Sequence, residues 1–134
     1  MPIKFLTLIF FIFLFAGCDP MRRVIVKNTS SSPVTITWKL KEDSARHSPL
    51  FIFSNSDKVT FTIGNKPGQN IMRLPFGMGN WKDGALDAMV DDLKSLEIES
   101  NLADTLYKEE GEIKAYLQSH LKGILKKNIK IYIQ

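Results

Sequence analysis

Phe76-Gly77-Met78-Gly79-Asn80-Trp81 is where the chain changes its pattern. Upstream, apolar residues alternate with polar ones in short runs, the period of a half-buried strand. Downstream, Leu86, Met89, Val90 and Leu93 fall at i, i+3, i+4 and i+7, one apolar stripe of a helix. The hexapeptide sets two glycines between large apolar residues, which points to positive φ or a close backbone approach. Two readings of it stand side by side. Phe76 and Trp81 plug the core of a tight strand-to-helix turn, or Phe76, Met78 and Trp81 form a binding loop that displays an aromatic.

Working back from Phe76, Asn70–Pro75 reads as a short strand, preceded by the breaker cluster Gly64-Asn-Lys-Pro-Gly68. Lys58–Ile63 and Leu50–Phe53 read as a strand pair across Ser54–Asp57, and residues 41–48 as a polar loop closed by Pro49. Val34-Thr-Ile-Thr-Trp38-Lys-Leu40 is rich in branched and aromatic residues and reads as a strand. With Arg22–Lys27 it would make a hairpin across the turn residues Asn28–Pro33. The front half is thus expected to be a meander of antiparallel strands, since its connections are too brief for crossover helices.

Working forward, Asn80 or Asp83 can cap the helix, and Asp83 and Asp87 suit the positive end of its macrodipole. Lys94–Glu99 returns to period two, with Leu96 and Ile98 on one side. A polar link leads to a second helical stripe, Ile113, Tyr116, Leu117, Leu121 and Ile124. Glu109, Glu110 and Glu112 precede that stripe and Lys122, Lys126 and Lys127 follow it, as a helix dipole favours. Asn128-Ile-Lys-Ile-Tyr-Ile133 is the clearest strand of all. The expected class is α+β: an antiparallel meander followed by helix, strand, helix, strand, with the helices packed on one sheet face.

Charge is segregated along the chain. Met21–Lys82 holds ten basic and three acidic residues, Asp83–Glu112 ten acidic and two basic, and Ile113–Gln134 five lysines and no acid. Either neighbouring elements neutralise one another, or separate basic and acidic faces meet lipid or a partner. No catalytic constellation stands out. HExxH, GxSxG, a Walker loop and paired metal-ligand spacing are all missing, so no catalytic residue, metal or cofactor is assigned. Gly-x-Gly at Gly77 and Gly79 lacks the third glycine of a dinucleotide site. His47 sits in a polar loop and His120 on a helix flank. Asp87, Asp91 and Asp92 form an acidic face without EF-hand spacing.

The first eighteen residues give an address. Lys4 is followed by the apolar run Phe5–Phe15, then Ala16-Gly17-Cys18, the layout of a secretory signal and too short to span a bilayer. The small residues run straight into the one cysteine of the chain. This resembles the lipobox of bacterial lipoproteins: Ala16, Gly17 and Cys18 match it, and Phe15 stands where Leu is usual. The resemblance implies cleavage before Cys18, a diacylglycerol on its thiol, and a place in the cell envelope anchored to a bacterial membrane, inner or outer. Residues 1–17 would then be the signal peptide, 18–21 a short lipidated tether, and 22–134 a single domain. One cysteine allows no internal disulfide, and export disfavours nucleic acid as a partner. Asp19 resembles an enterobacterial inner-membrane retention signal, while Asp43-Ser44-Ala45 and Asp104-Thr105-Leu106 resemble a short O-glycosylation signal of exported proteins.

The expected function is therefore a membrane-anchored, non-enzymatic binding or scaffolding domain, with the membrane and an envelope protein as partners. The alternative is a small envelope enzyme, or an inhibitor of one, that uses the Phe76–Trp81 loop as its contact surface. Arg22 and Arg23, four and five residues after Cys18, would lie close to anionic lipid.

Overall fold

The computed structural model describes residues 21–82 and 84–134. The stretch read as a signal peptide, Cys18, and Asp83, one of the two residues read as a helix cap, lie outside the described residues. The strands are β1 Met21–Asn28, β2 Val34–Leu40, β3 Lys58–Ile63, β4 Ile71–Met78, β5 Leu93–Glu99, β6 Asp104–Tyr107, β7 Leu121–Lys122 and β8 Asn128–Ile133. The helices are α1 Ala85–Asp91 and α2 Glu110–Ser119. β1 starts at Met21, so the strand takes in the last residue assigned to the tether.

The expected α+β class, an antiparallel meander and then helix, strand, helix, strand with the helices on one sheet face, is corrected. The strands form two four-stranded sheets, ordered β4-β1-β8-β7 and β3-β2-β5-β6, and the chain is predominantly β. The hairpin expected between the first two strands does not form. β1 pairs antiparallel with β4 and parallel with β8, while β2 lies between β3 and β5, antiparallel to both. Alternation marks a strand and its buried face, but says nothing of the neighbour across the hydrogen bonds.

Leu50–Phe53 is not a strand. Pro49–Phe53 forms a short 3-10 helix that the Ser48 side chain caps by accepting from the Leu50 N–H, with Pro49 in the first turn. β3 consequently pairs with β2. The polar link after β5 contains β6, an edge strand whose residues are exposed apart from the half-buried Tyr107. α2 ends at Ser119, short of the expected stripe. There His120 closes the helix, its backbone N–H donating to the Leu117 carbonyl. Leu121 then enters β7, and Ile124 lies on the following turn. α1 starts after Gly84 at φ +83°, and Asn80 serves the preceding turn by accepting from the Lys82 N–H at 2.8 Å.

Both sheets contribute to one apolar core. Val24 and Val26 of β1, Leu74 of β4, and Ile129 and Ile131 of β8 meet Ile36, Trp38 and Leu40 of β2 and Leu93 and Leu96 of β5 in one buried cluster. α1 adds Leu86, Met89 and Val90, and α2 adds Ile113 and Leu117. Burying each large apolar side chain contributes roughly 1.5–3 kcal/mol, which suits a domain without a disulfide. α2 packs against α1 and on β5 and β6, so it serves the second sheet.

Asn28 ties the end of β1 to the second sheet. Its side chain is 1 % exposed, and Nδ2 donates to the carbonyls of Ser32 at 2.7 Å, Gly64 at 3.1 Å and Ile63 at 3.2 Å. Oδ1 accepts from the Ser30 N–H at 2.9 Å and the Ser30 hydroxyl at 2.6 Å. Asn28-Thr29-Ser30 has the form of a glycosylation sequon, yet its amide is internal and fully engaged.

Candidate functional site

The Phe76–Trp81 segment and Arg22 build one corner of the molecule. Arg22 occupies an even-numbered position of β1, on the same side as the buried Val24 and Val26. Its guanidinium accordingly turns inward. Opposite it, two residues of β4, Phe76 and Gly77, stand against one residue of β1, since Met21 pairs with Met78 and Arg23 with Pro75. Such a bulge bends the strand and re-aims side chains. Nη2 and Nε of Arg22 donate to the Phe76 carbonyl at 3.0 and 3.3 Å, and Nη1 to the Asn80 carbonyl at 3.4 Å. The two glycines make this approach possible. Gly77 and Gly79 have φ of +90° and +98°, and a Cβ on either would stand 3.5–3.8 Å from the guanidinium.

Trp81 completes the corner. Arg22 Cζ lies 5.7 Å from its ring centroid, a cation–π distance, and the Phe76 ring centroid is 5.4 Å away. The indole N–H donates to the Arg23 carbonyl at 3.3 Å, and the Trp81 backbone N–H donates to the Lys126 carbonyl at 2.8 Å. Phe76 is 5 % exposed and Trp81 3 %, whereas Met78 is 55 % exposed. Of the three candidate loop residues, only Met78 presents its side chain to solvent. Of the two arginines, Arg22 is committed to the corner and Arg23 is exposed.

A small cleft of about 200 Å³ opens beside this corner, lined by Arg22, His47, Trp81, Met89 and Asp92 among others. Partial burial raises the Asp92 carboxyl above its ordinary value, against the opposing effect of a hydrogen bond from Ser44. The cleft is smaller than the roughly 300–1,000 Å³ typical of small-molecule sites. Asp87 and His120 are placed apart from it. Asp87 pairs with Lys114 across α1 and α2. The His120 ring lies tilted against Tyr116, centroids 4.5 Å apart, with Nδ1 2.8 Å from the Tyr116 carbonyl. Among the described residues, no three His, Cys, Asp or Glu side chains gather as a metal site, and no helix is long and apolar enough to cross a membrane.

The larger feature is electrostatic: a basic face was one reading of the charge segregation, but its location on one sheet was not. In β1, β4 and β8 the residues facing away from the core include Arg23, Lys27, Arg73 and Lys130. The register sets Ile25 beside both Arg73 and Lys130, Lys27 beside Ile71 and Tyr132, and Lys122 of β7 beside Asn128. The outer face of the first sheet thus carries five cations, and none of its four strands contains an acidic residue. The ion pairs among the described residues, Lys41–Glu110 and Asp87–Lys114, leave these cations uncompensated. The signal was present as parity: Arg23 and Lys27, Arg73, and Lys130 each fall at positions that alternate with the buried residues of their strands.

In comparisons with protein families, curated proteins and solved structures, nothing matches the chain.

Proposed function

We propose that the chain is a lipid-anchored protein of the bacterial cell envelope whose domain binds or scaffolds rather than catalyses. The observation that carries this reading is Ala16-Gly17-Cys18 at the end of an apolar run, three residues before β1 begins at Met21. The outer face of the first sheet supplies the binding surface on this reading, and its five uncompensated cations suit an anionic partner, a membrane surface or an acidic envelope protein. Metabolic labelling with radioactive fatty acid tests the anchor: the wild type incorporates label and Cys18→Ala does not. A wild type without label, or a Cys18→Ala chain that keeps it, overturns the reading.

A small envelope enzyme or inhibitor working through the Phe76–Trp81 loop is the second reading. The cleft that gathers Arg22, His47 and Asp92 favours it. The burial of both aromatic rings favours the first.

A further inference from the structure

The turn between β7 and β8 holds the most exposed large apolar side chain among the described residues. Ile124 is 92 % exposed and its neighbour Leu125 61 %. Gly123 at φ +83° and Lys126 at +50° close the turn, with the Lys126 N–H donating to the Gly123 carbonyl at 3.3 Å. The turn's base is fixed on two sides. The Lys126 carbonyl accepts from the Trp81 N–H at 2.8 Å, and the Lys127 carbonyl accepts from the Arg23 N–H at 3.0 Å. A held base with a projecting apolar tip differs from an apolar residue that merely failed to find the core. The tip is ringed by charge of one sign: Lys122, Lys126 and Lys127, with no acidic residue anywhere from Ile113 to Gln134.

The turn also lies where the fold begins. Arg23, hydrogen-bonded to it, is two residues after Met21, and Cys18 is three residues before Met21, at most about 11 Å of extended chain. Resting on the lipid-anchor reading, we propose that the Gly123–Lys127 turn is a second membrane contact. Ile124 and Leu125 enter the bilayer interface beside the acyl chains on Cys18, and the flanking lysines and Arg23 meet anionic headgroups. Short apolar tips ringed by lysine match the interface, where aliphatic side chains leave water while cations stay at the phosphates. Two contacts so close together would hold the domain in one orientation, with the first sheet's end against the bilayer.

The test uses the full lipidated chain reconstituted in vesicles of 70 % phosphatidylcholine and 30 % phosphatidylglycerol. Ile124→Cys carries an environment-sensitive fluorophore, and lipids with a quencher on the upper acyl chain report insertion. The label at 124 is expected to be quenched about twofold or more. A label at Leu102→Cys is expected to stay bright, since Leu102 is 81 % exposed but lies in the turn between β5 and β6 of the second sheet, between Glu99 and Asp104. Equal brightness at 124 and 102 overturns the proposal, as does a label at 124 that becomes shielded with rising protein concentration in the absence of vesicles. Mass spectrometry of the same sample reads the anchor separately. If Cys18 carries no lipid, the anchor reading falls, and the turn is judged by adding the full Cys18→Ser chain to the same vesicles. Quenching there sustains the membrane contact, with a roughly tenfold weaker partition for Ile124→Ser with Leu125→Ser, and no quenching overturns it.

Discussion

Replacing Trp81 with alanine separates the two views of the Phe76–Trp81 segment, because one makes the ring core and the other makes it a contact. The ring is 3 % exposed, lies 5.4 Å from Phe76, sits beneath the Arg22 guanidinium and donates its N–H to the Arg23 carbonyl. Removing a buried Trp costs about 3–5 kcal/mol through lost transfer energy and the remaining cavity. The orphaned Arg23 carbonyl adds about 1 kcal/mol and the lost cation–π contact about 0.5–1 kcal/mol, with overlap among the three. A total near 4–5 kcal/mol is a large share of the roughly 5–15 kcal/mol that stabilises an ordinary domain. At about 4 °C per kcal/mol, the midpoint of thermal unfolding should fall by roughly 15–20 °C. Trp81→Phe keeps most of the packing but not the N–H donor, and should cost about 1–2 kcal/mol. Far-UV circular dichroism of the chain from Asp19 onward, melted by heat and by urea, reads both variants. A Trp81→Ala protein melting within about 2 °C of wild type while losing a partner would refute the burial argument and restore the loop as a binding surface.

Two further outcomes test the frame around this corner. Asn28→Asp preserves shape but points a carboxylate at the carbonyls of Ser32, Ile63 and Gly64, so it should cost about 3 kcal/mol or more at pH 7 by urea titration. Part of that loss should return as the pH falls and the carboxyl regains a proton to donate. A variant as stable as wild type at pH 7 would mean that the amide does not bridge the sheets. Tyr116, stacked on Tyr107 at 4.6 Å, has its phenol pushed up to about 12, first by burial and then by Tyr107. The unfolded phenol ionises near 10, so between about pH 10 and 12 the folded state holds the proton that the unfolded state has released. Stability contributed by this group is complete below pH 10 and is lost as the pH rises toward 12. Ultraviolet difference spectra should show one tyrosine titrating after the others, and Tyr116→Phe should remove that late step.

Local structure was more legible in the sequence than its assembly. The spans of β2, β3 and β8 follow directly from alternation, and both helices were visible in their apolar stripes. What alternation lacks is partner choice: β1 looks identical whether it pairs with β2 nearby or with β8 a hundred residues on. Leu50–Phe53 misled because four strand-forming residues outweighed the helix-start signal Ser48-Pro49. β6 escaped notice because an exposed edge strand has no apolar face to show. Ile124 continued the stripe of α2 in register, but the chain turns at Gly123 and leaves that side chain outside. At the corner, the two glycines and the flanking aromatics marked an unusual turn, while Arg22 drew attention only as a charge near lipid. Its parity with Val24 and Val26 was the available clue that it faces inward.

The position of β1 between β4 and β8 has a consequence for the order of folding. The second sheet draws on residues 34–107, whereas β1 gains its parallel neighbour only when residues 128–133 arrive. The second sheet can therefore condense from nearer segments, while the first must close a loop of about a hundred residues, a slow event in the topology-dependent scale of folding rates. As the chain is made from its N-terminus, β1 can take β4 as a partner early, but its second edge stays open until β8, the last strand, arrives.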